Sequence, residues 1–134
     1  MRFVLDACAL IAFLRKEDGA QLVARLLHDE ENVCMAHAVN LCEVYYDFLR
    51  AADKRTAEVA LSDLESLGLI PQEDMDMPFW REAARYKAHL RRISLADCFA
   101  LSLAKRVGGT LITSDHAEFD MVAGSNICPV RFIR

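Results

Sequence analysis

The chain lacks the signals that would place it in several common classes. No stretch approaches the roughly 18 consecutive apolar residues of a membrane-spanning helix. The N-terminus has no signal-peptide pattern, because Arg2 is followed by only a few apolar residues before the charge of Asp6. A cytosolic (cytoplasmic) protein with no membrane partner is the expectation. The five cysteines, Cys8, Cys34, Cys42, Cys98 and Cys128, are odd in number and none are in CxxC spacing. That argues against a disulfide framework and against a zinc site. The four histidines show no HxxxH or HExxH pattern, which argues against a zinc enzyme. Basic charge is also short: 16 Lys and Arg against 20 Asp and Glu leave a net charge of −4. Bulk attraction to nucleic acid is therefore excluded, and any such contact must rest on local basic patches and on cations at an acidic site. Aromatics are only 8% of residues, so small and branched aliphatics make up most of the 54% hydrophobic content. That content is above the globular norm and fits a sheet covered by helices on both sides. There is no repeat, low-complexity segment or linker. The 134 residues read as one domain, 1–134, able to bury roughly two-thirds of its unfolded surface.

What is present is an alternation of short apolar runs and helical periods. Arg2–Leu5 reads as a strand buried on both faces, followed at once by Asp6 and a helix over Ala7–Lys16. Helices are expected over Ala20–His28, over Val39–Ala52, and over Arg55–Leu67 with Val59, Leu64 and Leu67 inward. Further helices are expected over Phe79–Arg91, Leu95–Val107 and Ala117–Val122. Strands are expected at Val33–Ala36, Leu69–Pro71, Thr110–Thr113 and Ile127–Phe132, with the proline-bearing one at an edge. Asp76 is a plausible N-cap, with Pro78 in the first turn. Five strands alternating with helices predict an α/β fold: a single domain with a parallel five-stranded sheet and helices on both faces.

Four acids fall at the carboxyl end of that sheet, where ligands of open α/β sheets bind. Asp6 and Asp115 each follow a strand and precede a helix. Asp97 lies in the first turn of its helix, three residues after Ser94, and Glu43 lies near the start of the helix after the second strand. Taken singly, Asp115 could be a cap, Ser94 with Asp97 a capping box, and Glu43 a solvated helix residue. Asp6 resists such a reading, because an acid directly after a buried strand is costly unless paired or bound to a cation. Together, four carboxylates repel and raise one another's pKa values. No Lys or Arg adjoins Asp6, Asp97 or Asp115. Mg²⁺ or Mn²⁺, with oxygen ligands, is the natural counter-charge, and such ions activate water for attack on phosphorus.

Val4-Leu5-Asp6-Ala7-Cys8-Ala9-Leu10, Glu43, Ser94-Leu95-Ala96-Asp97-Cys98-Phe99-Ala100 and Leu111-Ile112-Thr113-Ser114-Asp115-His116-Ala117-Glu118-Phe119 resemble the four motifs of PIN-domain ribonucleases. The resemblance runs from Arg2 to about Ile133, and a free-standing domain of this size is similar to VapC-type toxins of bacterial toxin–antitoxin pairs. It implies a PIN-like α/β/α sandwich and a Mg²⁺- or Mn²⁺-dependent endoribonuclease leaving 5′-phosphate and 3′-hydroxyl ends. It also implies a homodimer and a cognate antitoxin that neutralises it. It gives Asp6 and Asp97 metal-holding roles, with Glu43 and Asp115 completing the site. Thr113 matches a hydroxyl residue that orients a carboxylate or a water. Cys8 departs from the Ser or Thr common at its position.

Arg81, Arg85, His89 and Arg92 share one helical face in this reading, either a phosphate track for RNA or a solvated face. Tyr45, Tyr46, Phe48 and Trp80 supply core packing first and an interface second. Glu118 and Asp120 stand at the rim, outside the core set. Two rivals are weighed. An aspartyl-phosphate mechanism lacks the DxD spacing, since position 8 is Cys. A catalytically weak or inactive PIN-like module would only bind RNA or a partner.

Overall fold

The computed structural model describes all residues, Met1–Arg134. Five strands, β1 (Arg2–Leu5), β2 (Val33–His37), β3 (Ile70–Gln72), β4 (Thr110–Thr113) and β5 (Val130–Phe132), form one parallel sheet in the order β3-β2-β1-β4-β5. The helices are α1 (Ala7–Leu14), α2 (Ala20–His28), α3 (Ala38–Ala51), α4 (Lys54–Ser66), α5 (Met77–Leu90), α6 (Leu95–Val107) and α7 (His116–Ala123). The proline-bearing β3 is an edge strand, as its missing N–H requires.

The two-residue alternation of the central strands sorts the core into halves. Phe3 and Leu5 of β1, Cys34 and Ala36 of β2 and Ile112 of β4 pack with Leu10, Val23, Val44 and Leu64 of α1 to α4. Val4, Met35 and Leu111 point the other way, onto Phe79 of α5, Leu101 of α6 and Phe119 of α7. β1 lies between β2 and β4, with Val4 opposite both Met35 and Leu111. The strand order therefore reverses beside β1, and the crevice at its carboxyl end is the binding position of a doubly wound sheet.

Three local expectations are corrected. The inward face of α4 is Ala57, Ala60 and Leu64, whereas Val59 is 48% exposed and Leu67 lies at the surface. Spacing alone favoured the larger side chains, but the close packing of α3 and α4 takes the small ones. The last strand begins at Val130 rather than Ile127, because Ser125 bends the chain there, its Oγ donating to the Val122 carbonyl and accepting the Ile127 N–H. Helix α5 ends at Leu90, and Arg91 takes a φ of 55°. Lys87 donates to the carbonyls of Arg91 and Ile93, closing the helix early. Arg92 thus leaves the face shared by Arg81 and Arg85 and sits on the loop into α6.

Candidate metal centre

Asp6 is fully buried at the step from β1 to α1. Its backbone N–H donates to the Ile112 carbonyl, continuing the pairing with β4. Its Oδ1 caps α1 by accepting from the Ala9 N–H at 2.9 Å, while its Oδ2 is buried with no partner. Burial pushes its carboxyl up to about 7; hydrogen bonds from Thr113 and Ala9 oppose the rise, and the charges of Asp115 and Glu43 add to it. The Thr113 hydroxyl is buried beside the Asp6 carboxyl, and its Oγ1 accepts the N–H of Asp115 at 3.1 Å.

Asp115 caps α7, its Oδ1 accepting from the Glu118 N–H at 3.0 Å. On α6, Ser94 is the cap, its Oγ accepting from the Asp97 N–H at 3.2 Å. The reciprocal bond of a capping box goes elsewhere: the Ser94 N–H points to Glu118 Oε2 at 3.4 Å. That frees the Asp97 carboxyl for the crevice. Asp97 is only 6% exposed. Burial first, then a hydrogen bond with Glu118 and the charges of Asp6, Glu118 and Glu43, push it up to about 10. One oxygen each from Asp97, Asp115 and Glu118 lie within 4.8 Å of one another, a spacing that fits a shared cation.

Glu43 enters from α3. His37 caps that helix, its Nδ1 accepting the Val39 N–H at 3.1 Å, which leaves Nε2 to donate to the Asp74 carbonyl at 2.8 Å. Glu43 Oε1 is buried without a partner, and burial and the Glu118 charge raise its pKa. No Arg, Lys or His forms an ion pair with any of these acids. The Cys8 thiol is pushed up to about 12 by loss of solvent around its sulfur and then by Asp6, Asp97, Asp115 and Glu43. It stands beside the acids as a protonated thiol, with the residue otherwise exposed.

The four acids singled out in the sequence, Asp6, Glu43, Asp97 and Asp115, are thus brought within electrostatic reach of one another, with Thr113 among them. Glu118 joins them, although the sequence reading left it at the rim. Its signal was the Asp115-His116-Ala117-Glu118 spacing, which puts Glu118 at the third position of a capped helix. Asp120 does not join: it pairs with His116, whose ring stacks on Phe132 and reaches the Arg134 carbonyl. Asp76 does stand before α5, but its carboxylate makes no capping bond and is held by Arg106 instead. Of the proposed RNA contacts, Arg85 pairs with Glu82 and Arg81 lies over the Trp80 ring. A cavity of about 920 Å³ lies elsewhere, between Phe13, Ala20, Ala24, Asp63 and Leu67, and none of the five acids lines it.

A doubly wound sheet with a carboxylate cluster at its switch point defines an α/β protein with an acidic site. A family model of the PIN domain matches residues 3–125, and the chain belongs to that family. Among solved structures, it is similar to VapBC2 from Rickettsia felis bound to a DNA fragment from its promoter (TM-score 0.75, 18% identity, 98% of each chain). It is also similar to DNA-bound VapBC from Salmonella typhimurium (TM-score 0.73, 14% identity, 100% of this chain and 99% of that one). A third is the sarcin–ricin-loop-cleaving toxin VapC20 from Mycobacterium tuberculosis (TM-score 0.71, 17% identity, 90% of this chain and 94% of that one). At such identities the likeness is one of fold. No curated protein matches the chain.

Proposed function

We propose that the protein is a Mg²⁺- or Mn²⁺-dependent endoribonuclease acting in the cytoplasm as the toxin of a toxin–antitoxin pair. The observation that carries this reading is the set of converging carboxyls with no protein cation beside them. Two of the oxygens, Asp6 Oδ2 and Glu43 Oε1, are buried and unpartnered. Buried acids without partners are costly, and a hard divalent cation is the counter-charge that this donor set fits. When bound, such a cation supplies positive charge for a phosphate in flight and acidifies a water.

Asp6 and Asp97 hold the principal cation, with Asp115, Glu118 and Glu43 completing its surroundings. Thr113 fixes the Asp6 carboxyl and the Asp115 backbone in mutual register. Asp115 keeps one oxygen on the α7 cap, leaving the other for the site. Arg92 lies on the loop two residues before Ser94, the cap of the helix that carries Asp97. With Arg81 and Arg85 it contacts the phosphates of RNA. The likeness to VapBC assemblies supports a cognate antitoxin, and the exposed Tyr46 and Trp80 supply apolar surface for that partner or for a homodimer.

The test is incubation of purified protein with total RNA and sequencing of the ends. Cleavage with Mg²⁺ or Mn²⁺, stopped by chelator and by Asp6→Asn, is expected, with 5′-phosphate and 3′-hydroxyl ends. RNA binding that survives both, with no cleavage, would show a binding module instead.

A further inference from the structure

Only three buried side-chain polar atoms in the protein lack a hydrogen-bond partner: Asp6 Oδ2, Glu43 Oε1 and Asn40 Oδ1. Two belong to the acid cluster. The third belongs to a residue with no part in it so far. Asn40 is 0% exposed, in the first turn of α3. It stands three residues before Glu43, so the two side chains share a face of the helix. Its Nδ2 crosses to α6 and donates to the Ala96 carbonyl at 3.3 Å, the peptide group that leads into Asp97. One amide thus joins the helix that carries Glu43 to the turn that carries Asp97. Buried polar groups are almost always satisfied, and the exceptions call for a reason such as a water or an ion. An asparagine kept only for packing would be replaced here without loss by leucine, which has similar volume and no orphaned oxygen.

We propose that Asn40 is a positioning residue of the metal centre. Its Nδ2 clamps the Asp97 turn against α3, and its Oδ1 is a neutral acceptor for water held among the acids. This rests on the reading of the cluster as a divalent-cation site. Side chains that orient metal ligands typically change affinity by about 10- to 100-fold when removed. A neutral oxygen serves where a sixth carboxylate would add repulsion.

The test is titration with Mn²⁺ alone, followed by electron paramagnetic resonance of the free ion, well below the melting temperature. Wild type, Asn40→Leu and Asn40→Ala are compared, with the metal-free melting temperature of each. The expected result for Asn40→Leu is a metal-free melting temperature equal to or above wild type, with Mn²⁺ affinity down about tenfold or more. Asn40→Ala gives the same loss of affinity on a less stable fold. An unchanged affinity in either folded variant overturns the proposal, as does failure of both variants to fold, which would make Asn40 a structural residue. Absence of Mn²⁺ binding by wild type is a different outcome: it removes the cation site itself and this proposal with it.

Discussion

At Asp6 a single residue carries two duties that compete. Its Oδ1 caps α1, and its Oδ2 is left without a partner in a site closed to solvent. Asp6→Asn keeps an oxygen for the Ala9 N–H and removes the buried charge. We expect it to lower cation-dependent RNA cleavage by at least about 100-fold, the upper range for losing a group that sets metal affinity. We also expect it to raise the metal-free melting temperature, and cleavage assays and thermal melts read the two effects separately. The pH dependence follows from the same residue. Its carboxyl is raised from 3.8 to about 7 in the fold. A fold that holds a proton more tightly than the unfolded chain is stabilised fully below pH 3.8 and loses that contribution as pH rises through about 7. Asp97, raised to about 10, extends the decline to higher pH. Urea denaturation from pH 4 to 9 should show stability falling with pH without metal, and a flatter profile with Mn²⁺. A metal-free stability that rises between pH 4 and 7 would contradict this assignment of charge.

At the scale of elements, the helix caps aim the acids. Ser94 accepts the Asp97 N–H, and Asp115 accepts the Glu118 N–H, so each cap fixes the turn that carries the next acid. Ser94→Ala should cost about 1 kcal/mol of stability, the usual worth of a cap, measured by urea denaturation. Mn²⁺ affinity should fall with it, because the Asp97 turn loosens. The strand–acid–helix pattern at Asp6 and Asp115 was legible because local order alone dictates it. Glu43 was legible because a carboxylate in an apolar helix stretch is anomalous. The capping role of Ser94 was legible too, but not that its N–H goes to Glu118, since that contact joins residues 24 apart in the chain. Asn40 gave little signal, because an asparagine one turn before an acid is common on helix surfaces and only burial distinguishes it. Arg92 was misplaced because Arg91 ends α5 with a positive φ, which nothing in its side chain announces.

For the whole molecule, the parallel sheet was legible from five apolar runs separated by helical periods. Its strand order was not, because order depends on which faces pack. One such packing contact joins the start of α2 to the segment after β5. Gly19 has a φ of 94°, and a Cβ there would meet the Ile133 side chain and carbonyl at 2.7 Å. Gly19→Ala should therefore destabilise by roughly 1–3 kcal/mol, the range for overpacking, with an added contribution from its left-handed backbone. It should leave Mn²⁺ affinity unchanged, because the acids are not involved, and chemical denaturation with a parallel Mn²⁺ titration checks both. The central claim is that β1, α3, α6 and the end of β4 deliver carboxylates to one cation. Anomalous diffraction from crystals soaked in Mn²⁺ tests it most directly. The account predicts a peak roughly 2.1 Å from oxygens of Asp6 and Asp97, the distance of hard divalent cations of the Mg²⁺ type. No peak there, or a peak only at Asp74 and Asp76, would contradict it.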